Sequence, residues 1–157
     1  MDINIAEYLD NDSIILDIKA TKKKDALTAI LDRLADNKKI KKDDKKEVLK
    51  IILQREEMGS TAIGGGIALP HARIARIKDI QLSVTIFTQG VEFDSLDQEP
   101  VYVVALLLSN QKEAGMHLKM LAALARMLRD KYFVQNLKAA GTVPSVIALI
   151  SKQQHVA

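Results

Sequence analysis

The chain has 157 residues, 48% of them apolar but only 4% aromatic, and a formal net charge of +3. That is enough for one domain with an aliphatic core. The absence of cysteine excludes disulfide frameworks, thiolate metal sites and thiol nucleophiles. No apolar stretch approaches the ~20 residues needed to span a bilayer. Met1–Ile5 lack the basic-then-apolar order of a secretory leader, so a cytoplasmic protein without membrane insertion is expected.

Ser13 to Ile18 reads as a short strand. Asp25 to Asp36 reads as an amphipathic helix, with Leu27, Ile30, Leu31 and Leu34 on one face. Lys38 to Lys42 is a connection. Asp44 and Glu47 then have capping-box spacing ahead of the stripe Val48, Leu49, Ile52 and Leu53, and that helix should stop at Gly59. Lysines crowd 22–24 and 38–46. Asp43, Asp44 and Glu47 interrupt the larger group, and no Arg or aromatic accompanies it to stack on bases. These are expected to be solvated helix ends, and no nucleic-acid partner is expected.

Ser60 to Gly66 is a loop ending in three glycines. Ile67 to Leu69 can be a short strand stopped by Pro70. Ile80 to Phe87 alternates as a strand does, and Gly90 to Pro100 is a polar connection. Val101 to Leu108 is continuously apolar, as in a central strand covered on both faces. Helices are expected over His117–Asp130 and Lys131–Ala139, with a last one after Gly141 whose first turn holds Pro144. The order predicts an α/β (α+β) fold: a mixed β-sheet sandwiched between helices, in a single three-layer domain over 1–157 with its core at about 14–150.

Three histidines offer chemistry. His155, near the C-terminal end, is set aside. His71 follows the glycine loop and a stiffening proline, with Arg73 and Arg76 close behind. An imidazole among amide donors and guanidinium groups suits phosphoryl transfer, which depends on positioning and electrostatics. His117, beside Gly115, falls at a helix start, where free N–H groups can hold an anion. Nucleotide-loop and nucleophile-elbow motifs are absent. Two histidines without a third ligand make a weak metal case, so no metal or cofactor is expected.

Gln54-Arg55-Glu56-Glu57-Met58-Gly59-Ser60-Thr61, Gly66-Ile67-Ala68-Leu69-Pro70-His71 and His117-Leu118-x-x-Leu121-Ala122 together resemble the fructose/mannitol-type enzyme IIA family of the bacterial sugar phosphotransferase system. The resemblance implies that His71 takes a phosphoryl group from a small histidine phosphocarrier protein. It implies that His117 assists and Arg55 stabilises the phosphoryl oxygens. Thr61, Gly66 and Arg73 are further phosphate-binding candidates.

The string R-E-E-M-G-S-T-A-I-G-G-G-I-A, without fused IIB or IIC units, is most similar to the nitrogen-type regulatory branch. There the phosphorylation state selects which transporter, kinase or IIB-type partner is bound. A sugar-transport IIA subunit handing phosphate to IIB uses the same residues. A never-phosphorylated interaction module is the third reading. Two positions depart from the family pattern: Gly65, where Asn is usual, and Ala72, where Gly is usual.

Overall fold

The computed structural model describes residues 3–153. In chain order its elements are β1 (Ile14–Ile15), α1 (Lys23–Asp36), α2 (Lys45–Glu57), β2 (Ile67–Ala68), β3 (His71–Arg73), β4 (Gln81–Val91), β5 (Val101–Ser109), α3 (Ala114–Leu128), α4 (Lys131–Ala139) and α5 (Val143–Gln153). Among these residues no helix is long and apolar enough to cross a membrane. His155 lies outside the described residues.

The apolar run from Val101 is central, as its composition requires. β5 pairs antiparallel with β4 on one side and parallel with β2 and β3, end to end, on the other; β1 extends the sheet beyond β4. Alternation divides its side chains between two cores. Val104, Leu106 and Leu108 pack with α1 and α2. Val103, Ala105 and Leu107 pack with α3, α4 and α5. A strand covered on both faces favours apolar side chains, and β5 is apolar from Val103 to Leu108, with Tyr102 and Ser109 near its two ends. The expected three-layer α/β arrangement is the one found.

Several local expectations change. The first strand shrinks to two residues, because only Ile14 and Ile15 find register partners, on β4. β4 continues to Val91 through an irregularity after Ile86, taking in the start of the expected polar connection. The Asp44 capping box does not form. Asp44 has helical backbone angles, φ −91° and ψ −13°, and its side chain caps nothing. That buried carboxylate instead accepts from Arg76 at 3.3 Å. α3 begins at Ala114, so Gly115 lies inside it and His117 is its fourth residue.

The largest difference is β3. Pro70 does not end the pairing. It lacks an N–H, but its carbonyl accepts from Leu107 at 3.0 Å, and the chain re-enters the sheet with His71 opposite Leu107 and Arg73 opposite Ser109.

Candidate functional site

His71 stands on β3, half-buried, with Nδ1 2.8 Å from the carbonyl oxygen of Leu69. A carbonyl can only accept, so Nδ1 carries the proton and Nε2 keeps its lone pair. The Leu69 carbonyl is itself held. Leu69 donates its N–H to the Thr61 carbonyl at 3.3 Å, and Pro70 fixes the next φ.

Thr61 is anchored in turn. Its N–H and hydroxyl donate to the buried carboxylate of Glu56 at 3.1 and 2.5 Å, and Lys23 completes the pair at 2.9 Å. Thr61 therefore supports the approach to His71 from behind, and its hydroxyl is committed to Glu56 rather than offered to a phosphoryl group.

His117 is only 5% exposed. Its ring centroid lies 5.4 Å from that of His71, with the planes tilted by 59°. Its Nδ1 is 2.6 Å from Ser109 Oγ. Burial, with His71 and Arg73 nearby, pushes its pKa down to about 4, so it is neutral at physiological pH.

The two histidines share a cleft of about 580 Å³ with Arg55 and Arg73. Arg55 occupies the last turn of α2 and donates Nη1–H to the Gly59 carbonyl at 2.8 Å. That bond keeps the guanidinium at the helix end and leaves its other donors for the cleft. Arg73 is exposed. Arg76 turns away to Asp44 and Glu47. Leu118, 67% exposed, and the half-buried Leu121 give the rim an apolar character.

The glycine loop is elsewhere. The Gly66 carbonyl accepts from Tyr102 and Val103, four residues along β5 from the partner of His71, or about 13 Å at strand spacing. Gly65 does donate its N–H to an anion, but the anion is the carboxylate of Asp97, at 3.1 Å. Of the predicted residues, the fold thus gathers His71, His117, Arg55 and Arg73, and leaves Thr61 and Gly66 outside. Ala72 proves unremarkable: its Cβ points into the core under α1 and α2, and it has no positive φ that would call for glycine.

Ser109, in contact with His117, is not singled out by the sequence. Its signal was weak: a lone hydroxyl ending an apolar run, eight residues before His117. Among the described residues, no group of three or more His, Asp or Glu could hold a metal.

This cleft lies within a chain that matches, over residues 7–153, the family described as phosphoenolpyruvate-dependent sugar phosphotransferase system, EIIA 2. The chain belongs to this family. A nitrogen regulatory protein of Bradyrhizobium diazoefficiens is 32% identical across 92% of this chain and 95% of its own length. The fructose-specific EIIABC component of Bacillus subtilis is 28% identical across 96% of this chain, which spans only 23% of that protein. Among solved structures, nitrogen regulatory protein IIA-Ntr from Neisseria meningitidis superposes with a TM-score of 0.84 at 28% identity, covering 93% of this chain and 98% of that one.

Proposed function

We propose that this enzyme IIA is a phosphohistidine carrier acting mainly as a phosphorylation-dependent regulator. The single observation that carries the reading is the hydrogen bond from His71 Nδ1–H to Leu69. It leaves Nε2 as a nucleophile in a cleft with two guanidinium groups. The phosphoryl group passes from a small histidine phosphocarrier protein to Nε2. A P–N bond breaks on the donor as a new one forms on His71. Arg55 and Arg73 offset the charge on the outer oxygens, and neutral His117 serves as a hydrogen-bond donor rather than a second cation.

The group adds about −1.5 to −2 charge at neutral pH. Placed beside the exposed Leu118, it changes which partner surface fits, whether transporter, kinase or IIB-type protein. The likeness to the B. subtilis fructose component supports a second reading, sugar transport with IIB as the acceptor.

The test is incubation with the purified phosphotransfer chain, followed by pull-down of partners with each form. His71 should acquire an acid-labile phosphate and His71→Ala should not. Equal labelling of the variant overturns the assignment. A regulator binds different partners in its two forms, whereas a transport subunit discharges its label onto IIB.

A further inference from the structure

One buried polar side chain, in contact with a histidine of the cleft, has no part in the chemistry so far. Ser109 is 0% exposed and ends β5. Its carbonyl accepts the N–H of Ile74 at 2.7 Å, immediately after β3. Its hydroxyl lies 2.6 Å from Nδ1 of His117 on α3. A single residue therefore bonds to both segments that bear a histidine.

We infer that Ser109 is a positioning residue of the phosphoryl site, donating its hydroxyl proton to His117 Nδ1 and so fixing this histidine as the Nε2–H tautomer, the hydrogen-bond donor that a phosphoryl group on His71 requires. The inference rests on the carrier reading of His71.

A hydroxyl can donate or accept, so two arrangements compete. If Nδ1 carried the proton, it would donate to Ser109, and the buried hydroxyl proton would have no other acceptor among the described residues. His117 would then turn a bare lone pair to a group rich in anionic oxygens. If Ser109 donates, the hydroxyl and Nδ1 are both satisfied, and the remaining proton sits on Nε2. A buried donor left unpaired is the costlier state, so the second arrangement prevails. The same residue sets the spacing. Its backbone fixes where β3 leaves the sheet and its side chain fixes the His117 ring, which holds the centroids 5.4 Å apart.

The test uses the full chain, labelled with nitrogen-15 histidine, as wild type, Ser109→Ala and Ser109→Thr. Long-range proton–nitrogen spectra near neutral pH should show His117 of the wild type with well-separated Nδ1 and Nε2 signals of one tautomer. In Ser109→Ala the two signals should converge toward a tautomer average, and in Ser109→Thr the separation should return. The His71 signals, held by Leu69, report that β3 is intact in each variant.

In parallel, phosphoramidate serves as a small P–N donor. Ser109→Ala should accept phosphate about tenfold more slowly, the scale of one lost orienting hydrogen bond, and Ser109→Thr should recover. In a His117→Ala background Ser109→Ala should cost nothing further.

Unchanged His117 signals in Ser109→Ala, or the same rate loss with and without His117, overturn the inference. Failure of the wild type to take phosphate from either phosphoramidate or the phosphocarrier protein sinks the carrier reading instead, and the His117 spectra then decide the role of Ser109 alone.

Discussion

The carbonyl oxygen of Leu69 lies 2.8 Å from Nδ1 of His71, two residues further along the chain. This local bond decides which ring nitrogen is nucleophilic, because it occupies Nδ1 with a proton. The phosphoryl group is expected on Nε2. Phosphorus–nitrogen coupling in nitrogen-15 spectra of the phosphorylated protein identifies the bonded atom. A phosphoryl group on Nδ1 would mean that the Leu69 bond breaks during transfer.

His117 should make stability pH-dependent in a defined window. Its folded pKa of about 4 lies below the ordinary histidine value of 6.5, so the unfolded chain binds the extra proton first. Stability is full above about pH 6.5 and falls as pH drops toward 4, by up to roughly 1.4 kcal/mol per pH unit. The carboxylates held low, Asp10 by Lys39, Asp17 by Arg33 and Asp130 by the Phe133 N–H, lose their contribution only below their ordinary 3.8. Urea midpoints between pH 4 and 6.5 should therefore fall more steeply for wild type than for His117→Gln. Parallel curves would show that the buried imidazole does not titrate there.

Gly66→Ala separates the glycine loop from the phosphoryl site. Gly66 has φ +78°, and an added Cβ would stand 3.3 Å from Tyr102 Cδ2. The variant should lose about 1–2 kcal/mol, since both backbone and neighbour are strained, while His71 is phosphorylated at the wild-type rate. A slower rate in protein that remains folded would return the loop to the site. Ala72→Gly is the converse control. It removes a buried Cβ from an ordinary strand, so it should cost about 0.5–1 kcal/mol and leave labelling unchanged.

What the sequence made legible follows from locality. Periodicity located α1 and a continuous apolar run located the central strand, since each depends on burial of its own residues. The paired histidines were legible as types, and their meeting only through the family resemblance, because 46 positions separate His71 from His117. Pro70 misled for a physical reason: a missing N–H ends pairing only where that N–H is needed, and here the Pro70 carbonyl makes the bond. Thr61 was a candidate through the family resemblance alone, and the Glu56 carboxylate that accepts its hydroxyl, five residues earlier, becomes visible only in the fold. Ser109 could not be singled out, because its role depends on the direction in which α3 departs.

The Glu56 cluster should couple stability to transfer. Glu56 is 6% exposed and accepts from Lys23 at 2.9 Å and from Thr61 at 3.1 and 2.5 Å. Glu56→Ala leaves the Lys23 ammonium with the exposed Asp94, at 3.4 Å, and the Phe93 ring, and strands the donors of Thr61. Breaking such a buried pair costs about 3 kcal/mol, which urea unfolding measures. Loosening Thr61 also frees Leu69, whose N–H it holds at 3.3 Å, and with Leu69 goes the carbonyl that fixes the His71 tautomer. Phosphorylation should slow even where Glu56→Ala remains fully folded. Thr61→Val, which removes only the hydroxyl donor, should destabilise less and slow transfer less. If Glu56→Ala loses stability but transfers at the wild-type rate, the cluster is purely structural and His71 is held by Pro70 and the sheet alone.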